Sequence, residues 1–315
     1  MDCSWVLDVV EVSPRDGLQN ESQLVPAAHK AELVLRAIAS GAKRVEAVSF
    51  VSPRAVPQMA DAEEVLARIR GAIDPVEEGV SISGLVLNPR GLDRALSAGI
   101  REVNLVVLAS ESFNRRNQGV SIEHTLGQFE AMSALARQEQ VSVSVTIGAS
   151  FGCPFEGEVP VAAVGAIAEA VGEMGVAEIA LADTIGVGDP LAVESRFAAV
   201  RTVAPGARLR CHFHDTRNTG LANVYAAWRS GVRAFDASIG GIGGCPFAPA
   251  ATGNIASEDL VYMLSRMGCE TGLDLELLRA TAGWLQDEVL GKTVPSSLLR
   301  AGGFPGAERN QVSCV

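Results

Sequence analysis

Two histidines separated by one residue are the side chains best suited to chemistry in this sequence. They lie in the run HFHD at 212–215, and the chain contains only 4 histidines. Residues i and i+2 of an extended segment point to the same side, so His212 and His214 can reach one ion. Asp16 and Asn254 can add oxygen donors, a mixture that suits Mg²⁺ or Mn²⁺ better than a structural zinc site. The alternative is that both histidines cap the helix that follows.

The run PRDG at 14–17 places a cation directly beside an anion. A buried arginine needs an anionic partner, and Glu46 on the next predicted strand can supply one. An arginine held in this way can stabilise an enolate oxygen while negative charge develops on it. If Arg15 and Asp16 instead form an exposed ion pair at a turn, they contribute little.

A glycine-rich run, GGIGGCPFAPAATGN at 240–254, contains a cysteine and no charged side chain. Glycine lets the backbone approach a ligand closely, so this segment can bring a thiol and several N–H groups over a pocket. Cys245 is then either catalytic or substrate-facing, or it is a buried structural thiol. The run could also be a flexible connector.

Two further polar runs have open interpretations. Asp183 and Thr184 follow a predicted strand and belong either to a site or to a cap between that strand and the next helix. The run ESFNRR at 111–116 predicts a solvated face, although its adjacent arginines would also suit the tail of an acyl-CoA.

These residues need a scaffold, and β-rich runs that alternate with amphipathic runs predict one. The predicted strands are 5–12, 44–50, 80–87, 102–108, 141–147, 178–182, 208–211 and 234–239. The predicted helices include 27–40, 60–69, 121–138 and 161–174. Glycines at 41, 99, 175 and 231 are typical of helix C-caps before the chain turns into a strand.

Eight such strands predict a (β/α)8 TIM barrel with an additional C-terminal helix at 273–290. No shift in composition divides the chain, so we expect a single domain over 1–315 whose helical extension covers about 270–300. Functional groups of such barrels lie where strands end. Polar residues gather at those points here, and segments distant in sequence should therefore meet at one mouth.

Composition excludes several classes of function. The 37 acidic and 26 basic residues give a net charge of −11, which argues against binding to nucleic acid or to an anionic membrane surface. The sequence contains no run of about 18 apolar residues, so it does not predict a membrane span. The 6 cysteines lack CxxC spacing, which fits reduced thiols better than a disulfide framework or a zinc ribbon. We expect a cytoplasmic protein.

Several runs together resemble the 3-hydroxy-3-methylglutaryl-CoA lyase family. They are VEVSPRDGLQNE at 10–21, SFVSPRAVPQMAD at 49–61, FGCPFEG at 151–157, ADTIGVG at 182–188 and the glycine-rich run at 240–254. The similarity extends over roughly residues 6–300. It implies a metal-dependent TIM barrel that cleaves an acyl-CoA by a retro-Claisen reaction, most simply 3-hydroxy-3-methylglutaryl-CoA to acetyl-CoA and acetoacetate.

The resemblance also implies roles for individual residues. Asp16, His212, His214 and Asn254 match the ligands of Mg²⁺ or Mn²⁺, and Asp16 or a histidine would serve as the base. Arg15 would polarise the thioester carbonyl, Glu46 would orient Arg15, and Cys245 would handle a proton on the acetyl-CoA carbon. The predicted substrate-binding residues are Gln19, Ser49, Asn88, Ser144, Thr146, Asp183 and Thr184. We also expect a homo-oligomer, either a dimer or a tetramer.

The sequence departs from this family near the acyl group. Ser144 and Thr146 stand where methylglutaryl-specific lyases have an arginine and a tyrosine, and Ser22 stands where a lysine is common. After HDT at 214–216 the chain continues with Arg217 and Asn218 instead of tyrosine and glycine.

These departures leave the acyl group open. Citramalyl-CoA and a glutaryl-CoA with a longer C3 substituent are alternative substrates of the same chemistry. A Claisen-condensing synthase and a non-catalytic barrel are further alternatives, which the cysteine loop and the intact set of site residues, respectively, argue against.

Overall fold

A computed structural model describes residues 6–244 and 253–305. Eight parallel strands form a closed barrel in which each strand pairs with the next and β8 pairs with β1. The strands are β1 Asp8–Glu11, β2 Arg44–Ser49, β3 Ser81–Val86, β4 Glu102–Leu108, β5 Ser142–Gly148, β6 Glu178–Asp183, β7 Arg208–Phe213 and β8 Ala234–Ala237. The predicted TIM barrel is confirmed.

Helices cover the outside of the barrel, and an apolar core fills the layer between helices and strands. They are α1 Ala27–Ala39, α2 Ala62–Ala72, α3 Pro89–Ser97, α4 Glu111–Gln118, α5 Ile122–Gln138, α6 Val161–Glu173, α7 Pro190–Val203, α8 Gly220–Arg229, α9 Ser257–Arg266, α10 Leu275–Trp284 and α11 Ser297–Ala301. Among residues 6–244 and 253–305, no helix is both long and apolar enough to cross a membrane.

The run at 111–116 lies in helix α4, which the Ser110 hydroxyl caps by accepting a hydrogen bond from the N–H of Phe113. Two local predictions need correction. The first strand, Asp8–Glu11, is shorter than 5–12, and a π-helical turn, Ser13–Gly17, follows it. The predicted terminal helix at 273–290 is α10 followed by a π-helical turn, Leu285–Leu290.

The glycines predicted as helix C-caps do adopt the left-handed backbone that this role requires. Gly41, Gly99, Gly175 and Gly231 have φ angles of 102°, 72°, 72° and 87°. Helix α5 is also followed by a left-handed residue, but this residue is Gln140, with a φ of 56°, and not glycine. A side chain at that angle strains the backbone.

The inside of the barrel is unusually polar, whereas branched apolar side chains dominate most such interiors. Near the amino-terminal ends of the strands, Arg44 forms ion pairs with Asp8, Glu102 and Glu178 at 2.8, 2.7 and 2.9 Å. Glu178 also pairs with the buried Arg210 at 2.9 Å. Buried charges persist only when each has its partners, and this network supplies them.

Candidate active site

A cavity of about 520 Å³ opens at the carboxyl ends of the barrel strands; we call it the mouth cavity. It gathers predicted residues from segments that are far apart in the sequence. The predicted residues in its wall are Arg15, Asp16, Gln19, Asn88, Thr146, Thr184, His212 and His214. Convergence at the carboxyl ends of the strands was the main functional expectation from the sequence, and these residues do converge.

Asp16, His212 and His214 form what we call the donor cluster, whose candidate ligand atoms all lie within 4.8 Å of one another. The two Nε2 atoms are 3.2 Å apart, and His212 Nε2 is 3.7 Å from Asp16 Oδ2. Strand β7 explains the approach of the histidines, because residues i and i+2 share one face. The capping alternative finds no support, since α8 begins only at Gly220, whose N–H is bonded to Asp215.

Two of the three groups in the donor cluster have protonation states that fit a divalent cation. Burial acts to lower the pKa of the third, His212, but Asp236 and Asp16 outweigh burial and raise that pKa. Burial acts to raise the pKa of Asp16, but Arg15 and then the two histidines hold that pKa well below its usual range. Burial, assisted by His212, lowers the pKa of His214 to about 4. Cation ligands must be a deprotonated carboxylate and a neutral imidazole, and both groups meet that condition near neutral pH.

The Nδ1 atoms of the two histidines also support a cation site. His214 Nδ1 is buried and has no hydrogen-bond partner. His212 Nδ1 lies 3.1 Å from Asp236 Oδ2, so its N–H donates to that carboxylate and leaves Nε2 free for an ion. A carboxylate behind a histidine in this way is the usual support for a metal ligand.

Asn254 adjoins the donor cluster through a bridge between its backbone and that of His214. Its Nδ2 donates to Asp16 Oδ2 at 2.9 Å and to the carbonyl of Ile242 at 3.1 Å. Its amide nitrogen, and not its oxygen, therefore faces Asp16 in this structure. The assignment of Asn254 as a cation ligand stays a prediction.

Arg15 is buried against two carboxylates, as the sequence suggested. Its Nη1 donates to Asp16 Oδ1 at 2.6 Å, and its Nε donates to Glu46 Oε1. Burial alone would lower the pKa of Arg15, but Glu46 and Asp16 outweigh burial and raise it. The guanidinium is therefore a fixed positive charge beside the donor cluster.

Several predicted site residues lie outside the wall of the mouth cavity. Glu46 lies behind Arg15, and Ser49 and Ser144 are buried in the barrel wall. Asp183 accepts hydrogen bonds from the N–H groups of Val187 and Gly188, so it holds its own loop. Ser49, Ser144 and Asp183 are not in the cavity wall, and their contact with a substrate stays a prediction.

Cys245 lies outside the described residues. The chain can be followed to Gly244, which lines the mouth cavity. Asn20 Nδ2 donates to the carbonyl of Gly244 at 2.8 Å, which ties the start of the glycine-rich run to the PRDGLQN segment. The role of Cys245 stays a prediction.

Several polar residues of the cavity wall escaped the sequence analysis, and two of them bond to the groups described above. Asp236 lines the mouth cavity on β8 and joins His212 to Arg210, whose Nη1 donates to Asp236 Oδ1 at 2.7 Å. Asn104 lines it on β4 and donates to Glu46. Asp236 is the single polar side chain of β8, and Asn104 is one of two in β4, together with Glu102; a polar residue inside a mostly apolar strand was the signal available.

Comparison with known proteins agrees with this geometry. A family model described as HMGL-like matches residues 6–284. An (R)-citramalyl-CoA lyase from Chloroflexus aurantiacus is 43% identical over 93% of this chain and 94% of that protein. A 3-hydroxy-3-isohexenylglutaryl-CoA/hydroxy-methylglutaryl-CoA lyase from Pseudomonas aeruginosa is 43% identical over 93% and 96%. A solved HMG-CoA lyase from Acinetobacter baumannii, in complex with coenzyme A and 3-methylmalate, superposes with a TM-score of 0.89 at 39% identity over 96% of each chain.

Proposed function

We propose that this chain, which belongs to the HMGL-like family and is a lyase acting on a coenzyme A thioester, cleaves 3-hydroxy-3-methylglutaryl-CoA to acetyl-CoA and acetoacetate. The observation that carries the proposal is the donor cluster beside Arg15 in the wall of one cavity. A cation site and a fixed arginine are the two elements that a retro-Claisen cleavage needs, one for the hydroxyl and one for the thioester oxygen.

The donor cluster would hold Mg²⁺ or Mn²⁺ through Asp16, His212 and His214. When bound, such a cation supplies a Lewis acid that lowers the pKa of the substrate hydroxyl. Asp16 or one of the histidines then takes the hydroxyl proton. Asp236 holds Nδ1 of His212 and so fixes the ring in the orientation that this role requires.

Cleavage breaks the bond between C2 and C3 of the acyl group. The electron pair stays on C2, which becomes the enolate carbon of acetyl-CoA, while C3 becomes the ketone carbon of acetoacetate. Arg15 stabilises the enolate oxygen, since its charge is already in place before the reaction. Cys245 then supplies the proton that converts the enolate to acetyl-CoA.

A second candidate substrate carries a different acyl group, and one observation favours it. Thr146 lines the mouth cavity where a larger side chain is typical of methylglutaryl lyases, and the adjoining wall is apolar through Val106, Leu108 and Phe113. A longer apolar C3 substituent would fit there. The citramalyl-CoA lyase and the isohexenylglutaryl-CoA lyase described above are named for different acyl groups, so citramalyl-CoA also belongs in the test.

Release of acetyl-CoA from each thioester, with and without a chelator, tests the function. We expect the chelator to abolish release and Mg²⁺ or Mn²⁺ to restore it. His214→Ala should weaken Mn²⁺ binding at least about 100-fold, measured by electron paramagnetic resonance, while the circular dichroism spectrum is unchanged. The exposed His29→Ala is the matched control. Full activity in the chelator would refute the proposal.

We also propose that residues 1–315 form one domain, that the protein is a dimer or a tetramer, and that it works in the cytoplasm. A single calorimetric unfolding transition and a molar mass from light scattering test the first two. Two separate transitions, or a monomer at working concentrations, would contradict them.

A further inference from the structure

We propose that Asn104 and Thr146 form a positioning pair, which fixes Glu46 and, through Glu46, the guanidinium of Arg15. Both side chains lie in the wall of the mouth cavity, and they act on Arg15 only through Glu46, which lies outside that wall. Its kinetic consequence depends on the function proposed above, whereas its effect on Arg15 does not.

A chain of hydrogen bonds links the three side chains to Arg15. Thr146 Oγ1 donates to Asn104 Oδ1 at 3.0 Å, and Asn104 Nδ2 donates to Glu46 Oε2 at 2.7 Å. Glu46 Oε1 accepts from Arg15 Nε. Each carboxylate oxygen of Glu46 therefore has its own donor, one cationic and one neutral.

The hydrogen bonds between these side chains are important because the groups are buried. Glu46, Asn104 and Thr146 are 1%, 3% and 8% exposed. Glu46 also lies outside the wall of the mouth cavity, so water cannot replace a missing partner there. An unsatisfied buried group costs more than a hydrogen bond lost at the surface. The orientation of Glu46 therefore depends on Asn104.

The Glu46 carboxylate, which only accepts, sets which end of the Asn104 amide faces it, and the Thr146 hydroxyl holds the opposite end of that amide in place. The amide oxygen and nitrogen have nearly the same shape, so only hydrogen bonding separates the two orientations. With the Thr146 hydroxyl donating to Oδ1, Nδ2 must point to Glu46. In the reversed orientation, Oδ1 would face the Glu46 carboxylate and two acceptors would repel each other.

The backbone holds the pair rigidly. Glu46, Asn104 and Thr146 lie on β2, β4 and β5, and in the β4–β5 register Val106 is opposite Thr146. Groups on paired strands keep their spacing better than groups on loops. Ser144 adds only contacts of 3.4 Å to Asn104 Oδ1 and to the carbonyl of Val103, so its part is minor.

Substitutions at Thr146 separate this role from the mere opening of space. Thr146→Val keeps the volume and removes the hydroxyl, whereas Thr146→Ser keeps the hydroxyl and removes a methyl group. Thr281→Val is a matched control, because Thr281 is equally enclosed, at 3% exposed, and its hydroxyl donates at 2.8 Å to the Leu277 carbonyl in α10, away from the site.

The first measurement needs no substrate. In protein labelled with ¹⁵N-arginine, the Hε resonance of Arg15 is assigned by its loss in Arg15→Lys. We expect that resonance far downfield in the unaltered protein, in Thr146→Ser and in Thr281→Val, and shifted upfield in Thr146→Val. An unchanged resonance in Thr146→Val, or one that shifts equally in Thr281→Val, would overturn the inference.

The second measurement is kinetic, on whichever thioester the protein cleaves. Thr146→Val should lower kcat about tenfold with KM within about twofold, and Thr146→Ser should recover most of the loss. Asn104→Leu should lower kcat about 100-fold, but by no more than about twofold when Arg15→Gln is already present, because the pair acts through Arg15. Independent, multiplying losses would overturn the inference.

The two measurements separate the possible failures. If no thioester is cleaved but the Arg15 resonance responds as expected, the proposed function fails and the positioning pair stands. If the enzyme is active and neither the resonance nor kcat responds to Thr146→Val, the pair fails and the function stands.

Discussion

Arg15 is the residue on which the proposed chemistry depends most, because it is a buried cation already held by two carboxylates. It lines the mouth cavity, and among the described residues no other lysine or arginine does so. In a chain of net charge −11, an anionic transition state must rely on this one guanidinium and on a bound cation.

Arg15→Gln should therefore lower kcat roughly 100- to 1,000-fold, since a preorganised donor at a developing oxyanion contributes about 3–4 kcal/mol. KM should change much less, because the interaction strengthens only as charge develops. Steady-state kinetics with a cleaved thioester measure both constants. Arg68→Gln, in an exposed ion pair with Glu64 on α2, should change neither. A raised KM with unchanged kcat would reduce Arg15 to a binding residue.

At this scale, the sequence predicted the side chains of the donor cluster and Arg15 with its partner Glu46, but it missed Asn104 and Asp236, which support them. His212 and His214 share a face in any extended segment, and Glu46 was the natural partner for a buried Arg15. Asn104 and Asp236 could not be assigned in the same way. Their partners are set by which strands are neighbours and by the register between them, and neither is encoded in a local pattern.

At the scale of elements, the ends of the helices follow simple backbone rules. Glycine was predicted at the C-caps because only glycine adopts a positive φ without strain. Gln140 could not be foreseen there, since nothing in its local sequence marks a left-handed residue. Val141 N–H bonds to the carbonyl of Ala136 at 2.8 Å, the same closure that glycine gives the other helices.

Gln140→Gly should stabilise the protein by about 0.5–1 kcal/mol, because relief of the left-handed strain exceeds the entropic cost of glycine. Gly268→Ala tests the opposite sign. Gly268 ends α9 with a φ of 76°, and a Cβ there would meet nothing within 4 Å, so only backbone strain is added. We expect it to destabilise by about 1 kcal/mol. Urea unfolding measures both, and a less stable Gln140→Gly would contradict the argument.

Glu258 is a second feature of element scale, since it joins α9 to the turn that begins the glycine-rich run. It is fully buried, and both of its carboxylate oxygens accept from the N–H of Gly240. Burial raises the pKa of Glu258 from 4.5 to about 7. Its place in the first turn of α9 favours the charged form, but by less than the burial opposes it.

The free energy of unfolding should therefore fall as pH rises from about 4.5 to about 7. The folded protein holds the Glu258 proton more tightly than the unfolded chain, so the contribution is complete below about pH 4.5 and lost by about pH 7. Glu258→Gln keeps an acceptor for Gly240 and removes the titration. Relative to the unaltered protein it should gain up to about 3 kcal/mol between pH 5 and pH 8. Urea unfolding across that range measures the gain. Glu123→Gln, at the exposed start of α5, is the control. A difference in stability between Glu258→Gln and the unaltered protein that does not change with pH would contradict the assignment.

At the scale of the whole molecule, the alternation of strands and helices was enough to predict the closed barrel. Closure then brings residues 15, 88, 146 and 212 to one mouth, because the carboxyl ends of all strands of a TIM barrel lie at the same end of the barrel. The size and lining of the cavity were not predictable in the same way. They depend on which of the inward-pointing side chains lie nearest the mouth. Ser144 and Thr146 share one face of β5 and both contact Asn104, but only Thr146 lies in the cavity wall.

The acyl group that this enzyme prefers should follow from that lining. Thr146 leaves space beside Val106, Leu108 and Phe113, so a thioester with a longer apolar C3 chain should bury its chain there and surpass the methyl compound in kcat/KM. Because a methylene or two in such a pocket is worth about 1–3 kcal/mol, the ratio should be roughly 10- to 100-fold. Thr146→Tyr should refill the space and shift the ratio back toward methyl. Loss of the Asn104 contact lowers kcat/KM for both substrates alike, so this effect cancels in the ratio. A preference for methyl in the unaltered protein would contradict this argument, because the space that Thr146 leaves would then not be open to the substrate.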